Sequence, residues 1–85
     1  MSNIEQLVKG ESLDDIVTVF ALSKAPPYLD MMISRYKPET IRHGELQLTY
    51  TRLFEKGVLE KGEMGLAKKG PNWKAPKFVT ENKYG

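Results

Sequence analysis

Nine side chains in this sequence have the chemistry to grip a nucleic acid or a protein surface: Arg42, Gln47, Thr51, Arg52, Lys68, Lys69, Trp73, Lys74 and Lys77. Arginine and glutamine read base edges in a DNA groove through paired hydrogen bonds, while lysines meet phosphates as point charges. A tryptophan on a loop rich in glycine and proline stacks on a base, anchors a protein interface, or folds back to plug the core beneath its own loop. In a domain this small the last role is preferred. The positive charge is concentrated. Residues 61–85 hold six lysines and two glutamates, whereas residues 1–37 hold four basic and five acidic side chains and residues 38–60 hold three and four. The basic cluster Lys68, Lys69, Lys74 and Lys77 brackets Gly70-Pro71-Asn72-Trp73. It suits a phosphate backbone or an acidic protein surface, and equally an ordinary solvated loop.

Other chemistry finds little support. There is no cysteine, and His43 is the one histidine, so thiolate zinc sites, disulfides and histidine-rich metal sites are excluded. His43 reads as a surface or helix-end residue. Lys56-Gly57-Val58-Leu59-Glu60-Lys61-Gly62 lacks the spacing and the Ser/Thr of a phosphate loop. Asp14 and Asp15 are adjacent on a helix, so they point apart and suit its N-terminus better than acid–base work. The reading is therefore of a protein that is not an enzyme and uses neither cofactor nor metal.

The elements that must position these residues follow from periodicity. At 85 residues the chain has room for one domain. Charged residues make up 28% and hydrophobic residues 40%, as in a globular protein. No apolar run approaches the ~20 residues of a membrane span. Met1-Ser-Asn-Ile-Glu5 lacks the basic start and apolar stretch of a signal peptide, which points to the cytoplasm. Ile4, Leu7 and Val8 give a short apolar stripe, so residues 1–11 form a short helix or arm. Ser12, with Asp15 three residues on, is a capping box. Leu13, Ile16, Val17, Phe20 and Ala21 then mark an amphipathic helix over 12–24. Pro26-Pro27 opens a second helix over 27–36, with Tyr28, Leu29, Met32, Ile33 and Tyr36 on its apolar face. Residues 38–43 suggest a short helical turn. A third helix over 45–56 buries Leu46, Tyr50, Leu53 and Phe54, and Gly57 caps it. Val58–Lys61 and Lys77–Thr80 read as the two strands of a hairpin with a long tip, and residues 81–85 as a frayed tail.

The stretch Arg52-Leu53-Phe54-Glu55-Lys56-Gly57-Val58-Leu59-Glu60 resembles the end of the recognition helix in winged helix-turn-helix domains, especially small PadR-like and MarR-like regulators. The resemblance spans about residues 12–80. It implies a mainly α fold with a small β-hairpin: three core helices, at 12–24, 27–36 and 45–56, and a two-stranded wing over 58–80. It also implies a DNA-binding transcriptional regulator, with the third helix in the groove and the wing lysines on the backbone. Two features depart from the pattern. The link from Lys37 to Gly44 is longer than a tight helix–turn–helix link, and Ala25-Pro26-Pro27 leaves no room for the usual strand between the first two helices unless the first ends early. On charge the third helix is a poor reader, since Glu45 repels phosphate and Leu48 is apolar. The second reading is therefore a winged-helix protein-binding module, such as an immunity protein, antitoxin or phage-type inhibitor, with Trp73, Tyr28 and Tyr36 as anchors. The partner is then double-stranded DNA or a single protein, with no membrane. A homodimer is possible only through Ile4–Val8.

Overall fold

A computed structural model describes residues 3–38 and 44–84. The chain is mainly helical with one antiparallel hairpin. The helices are α1 (Asn3–Gly10), α2 (Leu13–Phe20), α3 (Pro26–Tyr36), α4 (Glu45–Glu55) and α5 (Lys77–Thr80), and the strands are β1 (Leu59–Lys61) and β2 (Ala67–Lys69). Their apolar faces meet in one core, in which Val8, Ile16, Val17, Leu29, Ile33 and Leu59 are almost wholly removed from water. The expected turn at 38–43 falls, but for Pro38, outside the described residues, as do Arg42 and His43.

α2 starts where the capping box places it, with the Ser12 hydroxyl accepting from the Asp15 amide at 3.3 Å. It ends at Phe20, four residues before the expected Lys24. The reason is tertiary: the Ala21 carbonyl accepts a hydrogen bond from the Ala67 amide of β2, 2.9 Å away, and so leaves the helical ladder. α3 opens on Pro26-Pro27, whose missing amides fall among the first four that no helix can satisfy internally.

α4 packs chiefly on α2 and β1. Its buried residues are Leu46, Thr49 and Leu53, so the helix is rotated from the expected stripe. Tyr50 is half-buried and Phe54 is exposed. The helix closes in a Schellman motif: Gly57, at φ +76°, donates to the Phe54 carbonyl, and Val58 donates to that of Leu53.

Two expectations at the C-terminal side are corrected. The returning strand is Ala67–Lys69, paired Leu59↔Lys69, Glu60↔Lys68 and Lys61↔Ala67, so the hairpin is short and its connection is residues 62–66. Lys77–Thr80 is a helical turn, which ends at Asn82 in the left-handed region, φ 51°. Within the stretch expected to fray, the described residues 81–84 are bonded to the rest of the domain. The Tyr84 hydroxyl donates to Glu11 at 2.6 Å, Lys83 reaches the same carboxylate at 3.1 Å, and Asn3 donates to the Tyr84 carbonyl at 2.8 Å. These bonds tie the C-terminal segment to the start of α1 and to Glu11 just past its end, and the Tyr84 ring meets Phe78 edge-on. In the segment Ile4–Val8, Leu7 and Val8 are buried in this chain's own core.

Candidate functional site: the basic hairpin and its flanks

The return leg of the hairpin is folded over the end of α4 by close backbone approach. The Gly70 amide donates to the Val58 carbonyl and the Asn72 amide to that of Gly57, each at 2.9 Å, and the Asn72 side chain donates to the Lys56 carbonyl at 2.8 Å. A methyl group on Gly70 would lie 2.1 Å from the Gly57 carbonyl oxygen, so only glycine fits there.

This fold-back fixes Trp73. The residue is not at the hairpin tip but just past the return strand, packed against the core. Its indole N–H donates to the Thr18 carbonyl at 2.9 Å. The Leu22 amide, which would take that carbonyl in a longer helix, bonds Val19 instead, so Trp73 satisfies one of the four orphan carbonyls at the end of α2. The Lys69 ammonium stands 4.4 Å from the ring centroid, a cation–π contact.

The lysines are exposed but do not point one way. Lys61, Lys68, Lys69, Lys74 and Lys77 are all open to solvent. Neighbouring strand residues face opposite sides of a hairpin. Lys69 therefore shares the face of Leu59, while Lys68 lies on the other face beside Glu60, at 3.9 Å. Glu60 is the one carboxylate within salt-bridge range of these five lysines among the described residues.

α4 offers less. The Arg52 guanidinium pairs with the Asp14 carboxylate on α2 and reaches the Thr49 hydroxyl at 3.5 Å. Gln47 and Thr51 are exposed, and the Thr51 hydroxyl bonds back to the Gln47 carbonyl at 3.1 Å. Leu48 is 62% exposed between them. The structure thus sets Lys69 over Trp73, but it draws Arg52 away to α2 and, among the described residues, gives Gln47 and Thr51 no other cation on α4.

Between α3 and α4 lies an open cleft of about 690 Å³, lined by Pro26, Pro27, Asp30, Gln47, Tyr50 and Phe54. The rings of Tyr50 and Phe54 stack with centroids 6.3 Å apart. The Tyr50 hydroxyl is buried without a hydrogen-bond partner among the described residues, and burial pushes its pKa up to about 12. At the opposite end, the hydrogen bond from Tyr84 and then Lys83 hold the Glu11 carboxyl below its ordinary value against partial desolvation.

The sequence reading did not find the pairing of Arg52 with Asp14, nor Lys61 as a member of the basic group. Among the described residues no three His, Cys, Asp or Glu side chains come together as metal ligands, and no helix is long and apolar enough to cross a membrane. Comparison with protein-family models, with curated proteins and with solved structures finds no match for this chain.

Proposed function

We propose that the chain is a small winged-helix protein of the cytoplasm that binds double-stranded DNA chiefly through its phosphate backbone. The observation that carries the reading is the run of exposed lysines at 61, 68 and 69 on the hairpin and at 74 and 77 just after it, with one carboxylate in range among the described residues. The order of α2, α3, α4, β1 and β2 suits a winged helix.

The site favours grip over readout. Backbone contacts position a protein on DNA without reading sequence. Base readout needs free arginine, asparagine or glutamine in the groove, and α4 supplies Gln47 while its Arg52 is held by Asp14. Weak sequence preference follows. Four or five lysines on phosphates give a salt slope of about −4, or about a 150–500-fold loss of affinity between roughly 50 and 200 mM salt. Titration of labelled random duplex by fluorescence anisotropy at the two salt concentrations tests this. No binding at the lower salt would sink the reading.

A second reading is kept for one observation, the exposure of Leu48 at the middle of α4. A protein-binding module would use that apolar residue as a contact. It would bind no duplex at any salt, and Leu48→Ser would weaken the protein complex.

A further inference from the structure

α3 carries a second surface, away from the basic hairpin in sequence and in lining residues. Leu29 and Ile33 turn one side of α3 into the core. At 100° per residue, Tyr28, Met31 and Arg35 then fall on a common outward stripe, with Met32 at its inner edge. Tyr28 is 66% exposed and Met31 65%. With Ile4 of α1 and Lys24 they line a trough of about 660 Å³. Tyrosine, methionine and arginine are the residue types enriched at the centres of protein interfaces. Both charged side chains that line the trough, Lys24 and Arg35, are positive.

From this geometry we infer that the α3 trough docks an acidic amphipathic helix of a partner protein. An incoming helix would lay apolar residues at i, i+3 and i+7 between Met31 and Ile4, with flanking carboxylates meeting Lys24 and Arg35. Charge decides against a second copy. Two copies meeting face to face would set Lys24 and Arg35 against each other, with no carboxylate in the trough to offset them. Shape decides against a membrane surface, since interfacial helices present a projecting apolar face with many cations, and here two cations flank a concavity. The inference stands apart from the DNA reading, because none of its residues belongs to the hairpin.

The test uses two synthetic helical peptides, each about 15 residues, with the same leucine stripe and either glutamate or lysine on the polar face. Each is titrated into the ¹⁵N-labelled protein. The glutamate peptide is expected to bind saturably and to shift the amides of Tyr28, Met31 and Arg35, with the lysine peptide at least about tenfold weaker. The double charge reversal Lys24→Glu with Arg35→Glu touches one half-buried and one exposed side chain, neither of them in the core, and should invert that preference without loss of the folded spectrum. Met31→Ser, also exposed, should weaken binding of the glutamate peptide. Equal binding of both peptides, binding of neither, or shifts confined to residues 61–77 would overturn the inference. So would shifts at α3 that grow with protein concentration alone, or that appear only with anionic phosphatidylglycerol vesicles.

Discussion

Replacing Trp73 with phenylalanine separates a structural tryptophan from a contact tryptophan. The change removes the indole N–H that serves the Thr18 carbonyl at 2.9 Å. A net hydrogen bond contributes about 0.5–1.5 kcal/mol, and here its loss strands a carbonyl at the end of α2. The smaller ring gives up roughly 30 Å² of apolar contact, about 0.8 kcal/mol at 25 cal/mol/Å². The weaker quadrupole beneath Lys69 removes about 0.5 kcal/mol more at an exposed site. The sum is about 2 kcal/mol, or a fall in Tm of about 8–16 °C for a domain of this size. Urea unfolding followed by far-ultraviolet circular dichroism measures it without relying on the tryptophan signal. Lys69→Met run alongside isolates the cation–π part and should lose no more than about 1 kcal/mol. A loss below about 0.5 kcal/mol for Trp73→Phe, with DNA affinity falling sharply at full stability, would refute the structural assignment.

Three further outcomes are expected. Gly70→Ala should destabilise by more than about 2 kcal/mol, because its methyl would meet the Gly57 carbonyl; thermal unfolding reads this. Tyr50→Phe should be neutral or stabilising by up to about 1 kcal/mol, since it deletes a buried hydroxyl with no partner. It should also reduce the loss of stability above about pH 10, where the unfolded tyrosine ionises and the folded one stays neutral to about 12. The Glu11 carboxyl binds a proton less readily folded than unfolded, so its share of stability is present above its ordinary value of 4.5 and lost as pH falls through the lower folded value. Urea midpoints measured from about pH 6 down to 3 should show this slope, and Glu11→Gln should flatten it.

Much of the fold is written in local signals. Ser12 with Asp15, Pro26-Pro27 and Gly57 each act within a turn of where they stand, so the starts of α2 and α3 and the end of α4 are legible from spacing. What was not legible depends on residues far apart. α2 stops at Phe20 although Ala21 and Leu22 continue its apolar pattern, because β2 takes the Ala21 carbonyl from 46 positions away. Thr49 is buried although threonine counts as polar, which turns α4 and leaves Phe54 exposed. The misplaced second strand has a local explanation. Lys77-Phe78-Val79-Thr80 has strand-like residues, but Pro76 before it and Asn82 after it are helix start and stop signals. Of the site, the lysine cluster and the core role of Trp73 could be read from composition and loop context. The pairing of Arg52 with Asp14 could not, because nothing in either segment points to the other.

The central claim is that the lysines of the hairpin and of the segment after it hold DNA by its phosphates. The direct measurement is the affinity for a random duplex at about 50 and 200 mM salt, for the native chain and for the variant with Lys68, Lys69, Lys74 and Lys77 changed to glutamine. The native chain is expected to lose about 150–500-fold across that range, and the variant to bind little at the lower salt while keeping its fold. A native affinity that does not change with salt, or a folded variant that binds as well as the native chain, would contradict the account.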